Sequence, residues 1–279
     1  RPAYYPSADG RLDRHHSMQE EARHVREHVG LIDVSTLGGL EIRGPDAAEF
    51  INRIFTFGFL KQPVGRTRYA AMTNEQGVVI DDGVSCRLAD DHFYVTATTS
   101  GVGRVFQSML QWNAQWRLDV DIANVTSAFA AVNIAGPLSR QVLETVCTGV
   151  DLSAQALPYL ELREGYAGDA PARLMRTGFV GELSYELHVP ARYGEYLWDL
   201  LMEAGKAFGI RPFGVEAQRL LRLEKGHVII GQDTDGMSHP AEIGMSWAVN
   251  RKKPFFVGRR AVDILDEHPA KRRLVGFRL

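Results

Sequence analysis

The sequence predicts an α+β fold made of two related units with mainly antiparallel sheets. A strand that ends in Gly-Pro and leads into a helix at residues 40–55 recurs 92 residues later at residues 132–146. In both halves, strand-like segments and a second helix follow this pair. We therefore expect two pseudo-symmetric lobes.

Composition narrows the class of protein. The chain has 279 residues, 45% of them hydrophobic and 24% charged, with a formal net charge of -2. These values are typical of an ordinary soluble globular protein of more than one domain. Basic residues are dispersed, and the compact run at 251–253 is expected to be a solvated face, so we expect no nucleic-acid partner.

No 18-residue apolar run and no signal-peptide pattern occurs in the sequence, so we expect neither a membrane span nor secretion. Cys86 and Cys147 are the only cysteines. They form no CxxC motif and have no histidine at zinc-site spacing. The sequence therefore indicates a reducing, cytoplasmic setting.

The chain opens with a polar arm over 1–14, followed by a helix that Ser17 caps and Gly30 ends. His24 and His28 lie four residues apart on it, which is the spacing of two metal ligands on one face. Because no third ligand accompanies them, we interpret them as part of a solvated face and expect no metal site. We expect three consecutive segments: an arm and helix at residues 1–30, a first α+β unit at 31–150 and a second α+β unit at 151–279.

The elements of the two halves follow from apolar alternation and helical periodicity. In each Gly-Pro pair, glycine permits an unusual turn and proline starts the helix at its first position. Further strands are expected at 69–72, 78–88, 92–98, 172–176 and 184–189, and further helices at 102–112, 193–204 and 215–225. Gly226 ends the last helix, an acidic loop occupies 231–240, and a strand begins at 273.

Residues 74–84 contain the first candidate for function. A polar turn and a β-branched strand lead into Asp81 and Asp82, two carboxylates inside an apolar strand. Side chains of neighbouring strand residues point to opposite faces, so one of the two acids looks into the interior or a cleft. One of them is a functional candidate, whereas the alternative is that both lie at a frayed strand end or cap a turn through Gly83.

Five stretches, taken in order, resemble the aminomethyltransferase family, which includes the T-protein of the glycine cleavage system and relatives that bind tetrahydrofolate. The stretches are residues 30–35, 44–47, 74–84, 181–187 and 221–226. Within that family, residues 66–69, 226–236 and 247–257 are most similar to the C-terminal, folate-binding half of the alpha subunit of heterotetrameric sarcosine oxidase. The resemblance implies duplicated ferredoxin-like units in a T-protein-like folate-binding fold that lacks the C-terminal barrel. We expect a segment of a longer subunit.

The resemblance also implies site residues. Asp82 corresponds to the family's acidic residue beside the folate N10 and is implied as the catalytic acid/base. Glu186 corresponds to the carboxylate that binds the amino group and ring N–H of the pterin. Tyr69 and Phe179 correspond to aromatic walls of the ligand site, although aromatic residues in strands also serve as core.

Arg222 is implied as an anchor for the glutamate tail of folate, the alternative being a pair with Glu224 or Glu216 on its own helix. Three positions depart from the family. Gln218 stands where T-proteins have arginine, His227 where several relatives have an aromatic residue, and Phe57 where sarcosine oxidase relatives often have asparagine. Loss of a fixed positive charge at position 218 argues against tight polyglutamate binding.

The function implied is tetrahydrofolate-dependent one-carbon transfer. A flavin, held only by a partner flavoprotein amine oxidase subunit, would oxidise an N-methyl amine such as sarcosine. This chain would capture the carbon of the imine or formaldehyde as 5,10-methylenetetrahydrofolate. Two alternatives stay open: a free-standing aminomethyltransferase or demethylase, and a non-catalytic folate-binding scaffold.

Overall fold

A computed structural model describes residues 2–7, 10 and 13–277. The α-helices are α1 Arg14–Glu27, α2 Ala47–Ile54, α3 Val102–Trp116, α4 Ser139–Val146, α5 Gly194–Ala204, α6 Val215–Lys225 and α7 Arg259–Asp266. The strands are β1 Gly30–Asp33, β2 Gly38–Arg43, β3 Thr67–Thr73, β4 Val79–Ala89, β5 His92–Ala97, β6 Asp121–Asn124, β7 Phe129–Ala135, β8 Cys147–Thr148, β9 Leu162–Ala167, β10 Ala170–Met175, β11 Ser184–Pro190 and β12 Arg211–Pro212. None of the helices in these residues combines the length and apolar character needed to cross a membrane.

The chain divides into two compact units, each assembled from two separate segments. The first unit combines the described residues up to Thr36 with Ser127–His227, and the second combines Leu37–Thr126 with the described residues from Val228 onward. The consecutive segments expected from the sequence do not coincide with these units, because the chain leaves the first unit after β1 and returns to it before β7.

The first unit contains a seven-stranded sheet in the order β12-β1-β7-β11-β10-β9-β8. All neighbouring strands in it are antiparallel except β1 and β12, which are parallel. Leu31, Ile134 and Tyr185 lie side by side across three strands and are fully buried. They pack in one hydrophobic cluster with residues of α4 and α5, so that face of the sheet is the core of this unit.

The second unit contains a five-stranded antiparallel sheet in the order β3-β4-β5-β2-β6. Ile42 of β2 and Phe93 of β5 pair across the sheet and join Phe50 of α2 and Met109 of α3 in its core. The apolar faces of these two amphipathic helices therefore cover one face of the sheet. The predicted α+β class with mainly antiparallel sheets is confirmed.

The repeated Gly-Pro turn has the same conformation in both units. Gly44 has φ +136° and Gly136 has φ +124°, values that only glycine adopts readily. A Cβ atom at Gly44 would lie 2.3 Å from the carbonyl oxygen of Asp119. The prediction that proline opens each helix is wrong by two residues, since α2 and α4 begin at Ala47 and Ser139.

Several predicted boundaries also need correction. The first helix begins at Arg14 rather than after Ser17, because Asp13 is its N-cap and accepts hydrogen bonds from the backbone N–H groups of His15 and His16. Residues 273–277 form no strand, and the rest of that expected strand, like parts of the expected N-terminal arm, lies outside the described residues. The strands β1, β6, β8, β9 and β12 and the helix α7 are absent from the sequence-based prediction.

The basic run at 251–253 is not wholly a solvated face. Lys253 is 5% exposed, and its Nζ donates hydrogen bonds to the carbonyl oxygens of Phe55 at 2.5 Å and Phe57 at 2.7 Å. Burial lowers the pKa of Lys253 to about 7. This lysine is therefore a structural residue of the second unit.

The turn at Gly44 gives a direct test of the second unit's architecture. We expect Gly44→Ala to lower the free energy of unfolding by about 2–5 kcal/mol, because the substitution adds both backbone strain and a steric clash. The matched control is Gly103→Ala, an exposed site in α3 where an added Cβ meets no atom within 4 Å. Urea denaturation should show this control unchanged or slightly stabilised; equal stability of the two variants would contradict the strained turn.

Candidate functional site

Asp82 and Tyr69 form a hydrogen-bonded pair in the second unit. In the register of β3 and β4, Tyr69 lies opposite Val84 and Ala71 lies opposite Asp82. Tyr69 and Asp82 are therefore diagonal neighbours on one face of the sheet. The tyrosine hydroxyl donates to Oδ2 of Asp82 at 2.5 Å, and both side chains are partly buried.

Burial makes Asp82 a weaker acid than an exposed aspartate. It raises the pKa of Asp82 to about 6, the hydrogen bond from Tyr69 opposes this rise, and the charge of Asp81 adds to it. Burial, together with the neighbouring Asp82 carboxylate, also raises the pKa of Tyr69 far above its ordinary value. The hydroxyl therefore keeps its proton and serves as a permanent donor to a carboxyl that can exchange a proton near neutral pH.

Asp81 has a different, structural environment. It is 2% exposed. Its Oδ1 accepts hydrogen bonds from the backbone N–H groups of Asp82 and Thr98, at 2.7 and 3.0 Å, and its Oδ2 accepts the Thr98 hydroxyl at 2.9 Å. The carboxylate thereby fixes the turn that leads into α3. The frayed-end alternative does not describe Asp82, which lies inside the paired length of β4.

Trp247 accompanies this pair and was not singled out from the sequence as a site residue. Its ring centroid lies 4.9 Å from that of Tyr69, and the residue is 63% exposed. A large exposed aromatic side chain beside a partly buried acid resembles a stacking wall for a flat ligand. No local pattern could have revealed the contact, because the two residues are far apart in sequence.

The Tyr69–Asp82 bond predicts how the acid responds to mutation. The bond lowers the pKa of Asp82, so we expect Tyr69→Phe to raise that pKa above its value of about 6. Carbon-detected NMR titration of the Asp82 carboxyl in both proteins measures the shift. The exposed tyrosine variant Tyr159→Phe is the matched control, and an unshifted Asp82 titration in Tyr69→Phe would rule out the coupling.

Glu186 lies on β11 in the first unit, on the face opposite the core. Its neighbours Tyr185 and Leu187 point into the core, whereas Glu186 pairs across the sheet with the buried Asn133. His188 shares the face of Glu186, with its Nε2 3.4 Å from Glu186 Oε2. The unit thus carries a carboxylate, 13% exposed, in a row of polar side chains.

Phe179 precedes β11 and is fixed by His227. The two rings stack with centroids 5.6 Å apart and an interplanar angle of 26°. His227 Nδ1 also lies 2.7 Å from the carbonyl oxygen of Phe179. Arg222, which is 2% exposed, donates from Nη1 to the carbonyl oxygen of His227 at 3.0 Å. Position 227 therefore supplies a flat ring beside Phe179.

The two acids suggested as alternative partners of Arg222 bind other arginines. Glu216 pairs with Arg14 and Glu224 pairs with Arg26, at 2.9 and 2.8 Å. The structure thus unites Tyr69 with Asp82 in the second unit, and links Phe179 to Arg222 through His227 in the first.

The histidines considered as metal ligands have other contacts. His24 Nε2 lies 2.7 Å from the carbonyl oxygen of Gly209, and its ring stacks on that of His28 at 4.8 Å. Within residues 2–7, 10 and 13–277, no cluster of three or more histidine, cysteine, aspartate or glutamate side chains is arranged to hold a metal ion.

Comparison with known proteins gives consistent results. The sequence pattern of one family, described as the GCVT N-terminal domain, matches residues 1–253. Sarcosine oxidase subunit alpha from Corynebacterium sp. (strain U-96) is 40% identical over 264 residues, which are 94% of this chain and 27% of that protein. The aminomethyltransferase of Halothermothrix orenii is 34% identical over 263 residues, 94% of this chain and 72% of that protein.

Among solved structures, the glycine cleavage system aminomethyltransferase T from Bartonella henselae superposes with a TM-score of 0.80 at 24% identity. The match covers 91% of this chain and 67% of that chain. It shows that the two proteins share a fold. The chain spans 27% of the length of the sarcosine oxidase subunit from Corynebacterium sp. (strain U-96).

Proposed function

Because the chain belongs to the family of GCVT N-terminal domains, we propose that it carries out tetrahydrofolate-dependent one-carbon transfer. It captures the carbon of the imine or formaldehyde produced when an N-methyl amine such as sarcosine is oxidised, and forms 5,10-methylenetetrahydrofolate with release of the primary amine from the imine or of water from formaldehyde. The observation that carries this proposal is the Tyr69–Asp82 pair, a carboxyl with a pKa of about 6 held by a tyrosine hydroxyl. The similarity to sarcosine oxidase subunit alpha supports the choice of donor.

In this proposal Asp82 is the catalytic acid/base. When bound, tetrahydrofolate supplies the nucleophilic nitrogen atoms that accept the carbon. Asp82 orients the attacking amine by a hydrogen bond and takes or returns its proton, a function for which a pKa near the working pH is suited. Tyr69 holds Oδ2 of the carboxylate, and Trp247 extends the aromatic wall beside it.

The residues of the first unit suit the pterin end of such a ligand. A carboxylate accepts two hydrogen bonds from an amino group and an adjacent ring N–H, and Glu186 offers one on a strand. Phe179 provides a flat surface that His227 immobilises. We propose that Arg222 contributes to folate binding by fixing His227, since it is buried and binds that residue's carbonyl oxygen.

We propose further that a partner flavoprotein amine oxidase subunit generates the carbon donor, and that flavin is bound only there. Similarity to a protein named as a subunit of an oxidase supports a partner. A cytoplasmic location is part of the same proposal, supported by the low cysteine content of the chain, with only Cys86 and Cys147 in 279 residues.

Two further functions have support from particular observations. A free-standing aminomethyltransferase or demethylase is supported by the match over 72% of the aminomethyltransferase of Halothermothrix orenii, and it predicts activity without any flavoprotein. A non-catalytic folate-binding scaffold is supported by Gln218, which lacks the positive charge that T-proteins place there.

One experiment separates these functions. The protein is titrated calorimetrically with tetrahydrofolate, and formation of 5,10-methylenetetrahydrofolate is then followed with sarcosine and a sarcosine-oxidising flavoprotein. We expect saturable binding and, only when the flavoprotein is present, a rate of product formation above that of formaldehyde and folate in solution. Acceleration without the flavoprotein would favour the free-standing enzyme. Binding without acceleration for any donor would favour the scaffold, and the absence of binding would refute all three functions.

A further inference from the structure

One cavity of the first unit has no role in the proposed reaction. A cavity of about 320 Å³ lies where α1 and β12 meet residues 5–7 of the N-terminal arm. It shares no lining residue with the proposed folate-binding set. Its wall is of two kinds: apolar side chains that include Val25 and Phe213, and a row of polar side chains along α1.

The charges lining the cavity favour a cation. Among the described residues that line the cavity, Glu20 and Glu21 face one guanidinium, that of Arg211, which pairs with Glu20 at 2.9 Å. Glu21 is 9% exposed. In the part of the chain that the structure describes, its two carboxylate oxygens accept hydrogen bonds from two backbone N–H groups, those of Tyr5 at 2.5 Å and Gly214 at 2.7 Å. No cation pairs with Glu21 among the described residues.

His24 adds no compensating charge near pH 7. Burial lowers the pKa of this imidazole below its ordinary value, and the nearby charge of Arg211 and the ring of His28 lower it further, while its contact with the Gly209 carbonyl opposes the shift. Burial also raises the pKa of Glu21, against the effect of its two backbone hydrogen bonds. A bound cation would offset that cost of burying the carboxylate.

Ser17 provides an independent sign of a ligand. It lines the same cavity and is 1% exposed. Its hydroxyl oxygen has no hydrogen-bond partner within the described part of the chain. Buried hydroxyl groups are nearly always hydrogen-bonded, so an isolated one in a cavity wall requires an explanation.

We infer that this cavity is a binding site for a small organic ammonium ion, a primary or secondary amine that carries a short apolar group. The ammonium group is held by the Glu21 carboxylate with the Ser17 hydroxyl as a further partner, and the apolar group packs on Val25 and Phe213. A bare metal ion suits the site less, since the cavity is far larger than an ion and half of its wall is apolar. The inference does not depend on the folate reaction.

Calorimetric titration with isobutylammonium chloride tests this site, with sodium isobutyrate as a probe of the same shape and opposite charge. We expect the ammonium probe to bind one site and the carboxylate probe not to bind. In Glu21→Gln the dissociation constant should rise at least tenfold, while Glu144→Gln, an exposed glutamate of the same unit, should match the parent protein. Equal binding of both probes, or no binding of either, would overturn the inference.

Ser17→Ala keeps the test decisive if Glu21→Gln does not fold. Because the Ser17 hydroxyl has no partner in the unliganded fold, removing it should leave the melting temperature unchanged or higher. Ammonium binding should nevertheless weaken about 10- to 150-fold, the effect of losing one hydrogen bond to a charged group. An unchanged affinity in Ser17→Ala would overturn the placement of the ammonium group.

Discussion

Replacing Asp82 with asparagine should lower the rate of tetrahydrofolate-dependent product formation by about 10²- to 10⁴-fold, the usual contribution of a general acid or base. Asparagine preserves the size of the side chain and can still accept the hydrogen bond from Tyr69, so the geometry of the pair is retained. The negative charge of the carboxylate and the ability to carry a proton are lost. The measurement is the steady-state rate with sarcosine, a flavoprotein oxidase and saturating tetrahydrofolate.

The control for this prediction is Asp91→Asn, an exposed aspartate in the turn after β4 of the same unit. Its rate should equal that of the parent protein. Tetrahydrofolate affinity of Asp82→Asn, measured separately by calorimetry, should change much less than the rate. A variant at position 82 that keeps the parental rate would remove Asp82 from the mechanism.

The pKa of Asp82 adds a pH signature. A carboxyl with a pKa of about 6 is ionised above pH 6 and protonated below it. If the ionised form is the base, the logarithm of kcat/KM should rise with unit slope below pH 6 and level off above it. The Asp82→Asn profile should be flat over that range, and a parent profile flat from pH 5 to 8 would contradict the assignment.

The contribution of Asp82 to the stability of the fold should fall as pH rises, whereas the rate should increase. A raised folded-state pKa means that the charged form of Asp82 is disfavoured in the fold. The contribution of Asp82 to stability is therefore most favourable below its unfolded-state pKa near 4 and is lost as pH rises through 6. We expect Asp82→Asn to gain stability relative to the parent between pH 4 and 7, a common consequence of removing a functional acid from a partly buried site.

The Asp82 site shows which parts of a function can be predicted from sequence. Two acids inside a β-branched strand are unusual in themselves, and the period-two geometry of a strand already assigns them to opposite faces. The structure separates them accordingly, with Asp81 hydrogen-bonded to Thr98 and Asp82 to Tyr69. The register of β3 and β4 determines which of the two acids faces Tyr69. The family resemblance, and not the strand pattern, indicated Asp82.

Lys253 shows what sequence patterns could not predict. A run of three basic residues is normally hydrated, because burying an ammonium group is costly. Here the carbonyl oxygens of Phe55 and Phe57 lie where they can accept from Nζ, and the rings of Phe59 and Phe256 lie near it. The carbonyl partners Phe57 and Phe55 lie 196 and 198 residues away in the sequence, and no local pattern records such a contact.

The interleaving of the two units along the chain also depends on contacts between residues that are far apart in the sequence. Strand β1 is short. The other strands of its sheet come after β2–β6 in the sequence. Sequence periodicity identifies a strand but not its sheet. The expected consecutive boundaries therefore followed the order of elements in the sequence, and the pairing of β1 with β7 instead follows the packing of apolar residues such as Leu31 and Ile134.

Replacing Glu186 with alanine should weaken tetrahydrofolate binding by roughly 1.5–3 kcal/mol, about 10- to 150-fold in Kd, which is the range for hydrogen bonds to a charged group. Glu186 lies on the face of β11 opposite the core, and its carboxylate contacts His188 rather than an apolar cluster. The substitution should therefore leave the fold largely intact. Calorimetric titration of the two proteins with tetrahydrofolate measures the difference.

A ligand without the pterin distinguishes direct recognition from a general loss of structure. The affinity for 4-aminobenzoylglutamate, which lacks the pterin ring, should be equal in Glu186→Ala and the parent protein, since Glu186 is proposed to bind only the pterin. Glu144→Gln should bind both ligands normally. Weakened binding of both ligands in Glu186→Ala would point to structural damage, and unchanged binding of tetrahydrofolate would exclude Glu186 as its recognition residue, because a charge-assisted hydrogen bond cannot be removed at no cost.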